Sequence, residues 1–218
     1  MKSASDVVMF RSKRNKVFLC QGKVEKHLSS DQAASFEAAM LEKLFAAGVR
    51  VPGPIHREGR KITMPFVPGE TLPELLERWE SSLENPPGGV APGPEPALGS
   101  PLEKEISEAA GSIISWLKDF YQAAGEGIIR GDVNGRNFIL NGEVCWGLDF
   151  EESAAGEREE DLGRLIAFVL SYDPPGTLVK RAFADSLLLE ALAQLNISRE
   201  KIMRYRDEEF AAMAVRRN

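Results

Sequence analysis

Cysteine and histidine are both scarce, with two of each in 218 residues. Cys20 and Cys145 fall in separate apolar, strand-like runs, which reads as two buried packing thiols and argues against a disulfide framework. His27 and His56 lie far apart, without Cys or carboxylate partners at ligand spacing, so a zinc site has little support. An excess of positive charge is also missing: the formal net charge of -6 disfavours a chain whose main task is to grip nucleic-acid phosphates. No apolar run approaches a membrane span, and the opening "MKSASDVVMFRSKRNK" lacks the apolar core of a signal peptide. The expectation is a cytosolic protein with neither a membrane nor a nucleic acid as partner. There is no internal repeat.

What is present divides into three parts. In the first, "DVVMF", "KVFLC" and "KVEKHL" are short β-rich pieces separated by "RSKRN" and "QG", and read as three antiparallel strands. Ser30 or Asp31 can cap a helix through "QAASFEAAMLEKLFAA", which stops at Gly48. "PIHRE" and "KITMPFV" add two strands. The second part holds "ENPPGGVAPGPEPALGSP", too rich in proline and glycine for a helix or a ladder, and marks a linker or insertion. The third opens with a long amphipathic helix, "LEKEISEAAGSIISWLKDFYQAA". A β-loop-β unit with an Asn141-Gly142 turn follows, then three more helices. The boundaries expected are 1–68 for a β-rich lobe, 69–101 for a hinge and linker, and 102–218 for a helical lobe, with a cleft between the lobes.

Within "GIIRGDVNGRNFILNGEVCWGLDFEE", Asp132 stands in the loop just after a strand, and Asn137 leads into the next strand. An acid and a carboxamide at this spacing can face one point. One can orient or deprotonate a hydroxyl while the other offers an oxygen to a hard cation. Asp149 ends the second hairpin strand, which returns it beside Asn137.

These residues resemble the protein-kinase-like superfamily, and most closely its small-molecule branch of aminoglycoside and choline phosphotransferases. The resemblance implies an α+β, bilobal protein-kinase-like fold, with a small antiparallel sheet lobe and a larger, mostly helical lobe. It implies transfer of the γ-phosphate of ATP, with Mg2+, to a hydroxyl of a small molecule. Asp132 would be the catalytic acid, and Asn137 and Asp149 the metal ligands. Lys26 would be the phosphate-gripping lysine, Glu37 the helix glutamate that holds it, and Asp161 a brace for the catalytic loop. A lysine braced by a carboxylate is a fixed cation, and strand alternation puts Val24 and Leu28 beside Lys26 as an apolar wall.

The pattern also departs from the family. The Gly-rich loop over the phosphates is absent, and the basic turn that replaces it suggests that Lys13 and Arg14 cover the phosphates. Arg130 stands where the family has histidine. The segment from Asp149 to Asp161 is short and has no Ala-Pro-Glu motif, which favours a small acceptor over a docked peptide. Glu151, Glu152, Glu157, Glu159 and Glu160 form an acidic rim that would suit an amino sugar or amino alcohol. Two other readings stay open. One is an atypical protein kinase or ATPase similar to the small kinases of the tRNA-modification complex, working with a protein partner. The other is a pseudokinase that binds nucleotide without catalysis.

Overall fold

The first ladder is antiparallel throughout. Strand β1 (Val8–Phe10) pairs antiparallel with β2 (Lys16–Cys20), and β2 with β3 (Lys23–His27). Between β2 and β3 the turn residues Gln21 and Gly22 both have positive φ, 51° and 74°, the combination whose twist matches the flanking strands. Two further strands, β4 (His56–Glu58) and β5 (Lys61–Pro65), complete a five-stranded sheet in the order β1-β2-β3-β5-β4. The computed structural model describes residues 7–10, 15–84 and 100–217.

Helix α1 (Asp31–Ala46) packs beside this sheet. Ser30 is its N-cap and accepts a hydrogen bond from the Ala33 N–H, which satisfies one of the orphan donors of the first turn. Ala34, Ala38, Leu41 and Leu44 form its buried stripe at helical spacing, and Glu37 is buried on the same helix. The helix ends at Ala47, and Gly48 follows at φ 80°.

The helical half contains one element that the sequence reading left within the hinge. Residues 72–84 form helix α2 (Leu72–Glu84), with Leu72, Leu75, Leu76 and Trp79 buried. Pro73 lies in its first turn, where the missing N–H costs nothing. From helix α5 (Leu178–Gln194), the buried Lys180 ammonium pairs with Glu80 at 2.7 Å and donates to the Pro174 carbonyl, clamping α2 in place. Trp79 and Phe183 make a tilted ring contact at the same junction.

Helix α3 (Pro101–Ala124) runs through the centre of the helical half and buries Ile106, Ile113, Ile114, Leu117, Phe120 and Tyr121. Ser100 caps it, accepting from the Glu103 N–H. Helix α4 (Arg158–Ser171) packs on α6 (Arg199–Arg217) and on α5. Two short sheets accompany these helices. Strand β6 (Glu70–Thr71) pairs with β8 (Phe138–Asn141), β8 with β9 (Val144–Gly147), and β7 (Ile128–Ile129) with β10 (Ala154–Ala155). Asn141 is the last ladder residue of the β8–β9 hairpin, opposite Val144, so Gly142, at φ 61°, takes the first turn position rather than the second.

The two halves share one continuous apolar core. The Arg50 carbonyl, just beyond α1, accepts both the Trp116 indole N–H at 2.8 Å and the Gly147 N–H at 3.1 Å, so the sheet half is tied to α3 and β9 at one oxygen. Gly147 can approach so closely only because it has no side chain; a Cβ there would overlap the Trp116 ring. Replacing Gly147 with Ala is therefore expected to destabilise the fold by about 1–3 kcal/mol through overpacking. Urea unfolding should give a lower midpoint at an unchanged slope.

Candidate active site

Lys26 occupies the middle of β3, paired with Val17 on one side and Ile62 on the other. Its ammonium is 6% exposed and donates to both oxygens of Glu37, at 2.9 and 2.7 Å. It also donates to Oδ1 of Asp149 at 2.8 Å, joining the sheet half to the helical half. Burial works against this ammonium, yet the carboxylates of Glu37 and Asp149 outweigh it and hold the Lys26 pKa above the ordinary lysine value. Glu37, 1% exposed, fares differently. Burial pushes its carboxyl up to about 7 against the pull of Lys26, with Asp149 and Glu151 adding repulsion. The asymmetry has a simple source: the lysine faces two carboxylates, whereas Glu37 shares one cation with other acids.

The loop after β7 is shaped by Asp161, a buried acid in the first turn of α4. Its carboxylate accepts from the backbone N–H groups of Arg130 at 2.7 Å and Gly131 at 3.0 Å, and from the Tyr121 hydroxyl at 3.1 Å. Burial raises the Asp161 pKa, while these amides pull the other way. Gly131 sits at φ 76°, and a Cβ there would meet the Glu152 carbonyl, so the sharp exit from β7 requires glycine. Asp132 follows with both oxygens oriented. Oδ1 accepts from the Asn134 N–H and Oδ2 from the Asn137 side-chain amide, each at 3.0 Å. Asn137 spends its amide nitrogen on Asp132, so its carboxamide oxygen is the atom it can offer to a cation.

Asp149 lies at the end of the β8–β9 hairpin. The Leu148 N–H donates to the Asn137 carbonyl at 2.9 Å, which puts Asn137 one residue from Asp149 across the hairpin. Asp149 has φ 62°, a left-handed conformation that costs a non-glycine residue energy and persists only where its surroundings enforce it. Carboxylate oxygens of Glu37, Asp149 and Glu151 lie within 4.8 Å of one another, a hard-oxygen set of the kind that suits a divalent cation. The Asn15 amide donates to both Glu151 oxygens at 3.2 Å and joins the base of the β1–β2 hairpin to this cluster.

Most of the residues expected from the sequence thus come together. Lys26, Glu37 and Asp149 are in direct contact, Asp132 binds Asn137, and Asn137 lies alongside the Asp149 segment. Val24 is half-buried in β3, opposite Met64. Lys13 and Arg14 lie outside the described residues.

Three participants escaped the sequence reading. Glu151 was grouped with the acidic rim rather than with Asp149, although it stands only two residues away. Asn15 belongs to the end of "RSKRN", and its partner Glu151 is 136 positions away. Tyr172 accepts from the Gly135 N–H at 2.8 Å and donates to Asn134 Oδ1 at 3.3 Å, supporting the turn between Asp132 and Asn137 from a point that no motif marks. The acidic rim itself is largely engaged. Glu157 pairs with Lys201 and Tyr205, Glu159 accepts from the Ser198 N–H, and Glu160 pairs with Arg164.

No family model matches the chain, and no curated protein matches it in sequence. Solved structures do. The streptomycin–ATP–APH(2'')-IIa ternary complex aligns over 95% of this chain and 83% of that one, with a TM-score of 0.58 at 13% identity. The crystal structure of a choline/ethanolamine kinase family protein from Mesorhizobium loti aligns over 96% of this chain and 87% of that one, at 19% identity and a TM-score of 0.47. The chain has the protein-kinase-like fold expected from its motifs, a mixed helix and sheet structure with an antiparallel sheet.

The raised pKa of Glu37 carries a sign that can be measured. A carboxyl that titrates higher in the folded chain than in the unfolded chain favours folding most at low pH, and that contribution is lost as pH rises from the ordinary carboxylate range through about 7. Glu37→Gln should remove this component. The stability difference between native and variant chains, measured by urea unfolding from pH 4.5 to 8, is expected to shift against the native chain as pH increases.

Proposed function

We propose that this chain is a phosphotransferase that moves the γ-phosphate of ATP to a hydroxyl of a small molecule. The observation that carries this reading is the meeting of Lys26 with Glu37 and Asp149, with Asp132 oriented by two amides. Phosphoryl transfer asks a protein for charge neutralisation and alignment more than for covalent chemistry. Lys26, held in place by Glu37, is a preorganised cation for phosphate oxygens. Asp149, Glu151 and the carboxamide oxygen of Asn137 are the groups suited to hold magnesium. Bound there, the ion would offset phosphate charge. Asp132 orients the acceptor hydroxyl and takes its proton on a carboxylate whose direction is already set.

A small acceptor is supported by the short segment between Asp149 and α4, which offers little surface for an extended peptide. Support for a cationic acceptor is weaker than the sequence suggests, because Glu157, Glu159 and Glu160 are committed to α4 and α6. The acceptor class is therefore proposed only as a hydroxyl-bearing small molecule.

The test is a phosphate-transfer screen against pooled hydroxylated metabolites, with and without magnesium, followed by Asp132→Asn on the best acceptor. Turnover is expected to fall by about 10²–10⁴-fold while nucleotide affinity changes little. Undiminished turnover would refute the assignment of the base. Stimulation of ATP turnover by a protein partner, with no response to any small acceptor, would favour the atypical protein kinase reading. Nucleotide binding without turnover under every condition would favour a non-catalytic module.

A further inference from the structure

Between the two acids of the cleft lies a cation that the mechanism above does not use. Arg130, two residues before Asp132, is fully buried. Its Nε donates to the carbonyl of Asp132 at 3.2 Å, and its Nη2 donates to the carbonyls of Leu148 and Asp149, the latter at 3.2 Å. The guanidinium carbon sits 5.2 Å from the Trp116 ring centre, 4.9 Å from that of Phe138 and 5.0 Å from that of Phe150. Within this aromatic cage Nη1 has no hydrogen-bond partner among the described residues.

We propose that Arg130 is a positioning residue, a caged cation that sets the separation between Asp132 and the cation-side acid Asp149. The proposal rests on the reading of the cleft as a magnesium-nucleotide site. Three features argue for it over a packing role. The carbonyls that Arg130 gathers belong to the two acids themselves and to the residue between β9 and Asp149, so any displacement of the guanidinium moves both peptide segments. Asp149 is in the left-handed region, and Arg130 grips its carbonyl while Lys26 grips its carboxylate, so backbone and side chain are restrained from opposite sides. A buried charge is also an expensive way to fill space, since an apolar side chain of similar volume packs there without a desolvation cost.

The planar fork matters as much as the charge. A guanidinium can donate to carbonyls of two segments while its faces lie against aromatic rings, an arrangement that a tetrahedral ammonium cannot reproduce. Phe138 and Phe150 come from the segments that the guanidinium joins, one opening β8 and one following Asp149. Cage and carbonyls therefore hold the same two pieces of chain.

The test uses the full chain, native and with Arg130→Lys, Arg130→Met or Phe138→Leu. Binding of Mn2+ in the presence of ATP is read by the change in the Mn2+ EPR signal on adding protein, relative to a protein-free Mn2+–ATP control. Turnover and the KM for ATP are measured well below each variant's melting temperature. The Arg130 variants are expected to lose about 10–100-fold in Mn2+ affinity and in kcat, the range found when groups that orient metal ligands are removed, with a KM for ATP within about threefold of native. Phe138→Leu keeps the hydrogen bonds and opens one wall of the cage; it should show the same pattern at about 3–10-fold. Should both Arg130 variants fail to fold, Phe138→Leu decides. A lower melting temperature with native Mn2+ affinity and native kcat would reduce Arg130 to packing and overturn the proposal. If the native chain itself binds no Mn2+ with ATP, the reading of the cleft fails instead, which separates the two outcomes.

Discussion

One buried cation organises this molecule. The Lys26 ammonium lies between the carboxylates of Glu37 and Asp149 and is almost sealed from solvent. Such an arrangement depends most on the lysine, because removing it leaves two carboxylates close together in a low-dielectric setting without a counter-ion. The sheet must hold Lys26 at the right register, α1 must bring Glu37 over it, and the β8–β9 hairpin must carry Asp149 to the opposite side. The Arg50 carbonyl and the Lys43 contact with the Ala124 carbonyl hold the halves near enough for this to happen. The polar site and the apolar core are thus parts of one construction, with the core providing rigidity and the site using it.

The helical half repeats that logic with inverted signs. Asp161 is a buried anion whose partners are the backbone amides of Arg130 and Gly131, and Arg130 is a buried cation whose partners are backbone carbonyls. In both cases a charged side chain substitutes for the regular ladder where the chain turns too sharply to pair with itself. The loop that bears Asp132 is consequently stiff in spite of its glycines.

Much of this was legible in the residues. The alternation of β3, the helical spacing of α1 and the motif from Arg130 to Asp149 sufficed for the fold class and for the grouping of Lys26, Glu37, Asp132, Asn137 and Asp149. What escaped has physical reasons. Helix α2 was hidden by Pro73, a breaker within a helix but harmless in its first turn. Asn15 and Tyr172 act through single side chains placed by tertiary contacts, and no local pattern encodes those. The acidic run after Asp149 looks like a free electrostatic surface in one dimension. In three dimensions Glu157 and Glu159 are taken up by α6 and its flanking turn, and Glu160 by Arg164 of α4.

Lys26 and Asp149 are 123 positions apart in the chain, and Asn15 and Glu151 are 136 apart. At ordinary rates of translation, about 5–20 residues per second, Lys26 is synthesised roughly 6–25 seconds before Asp149. Through that interval Glu37, only 11 positions away, is the sole acid of the trio able to balance the ammonium. The local pair lets the nascent sheet close over a charge whose second partner has yet to be made.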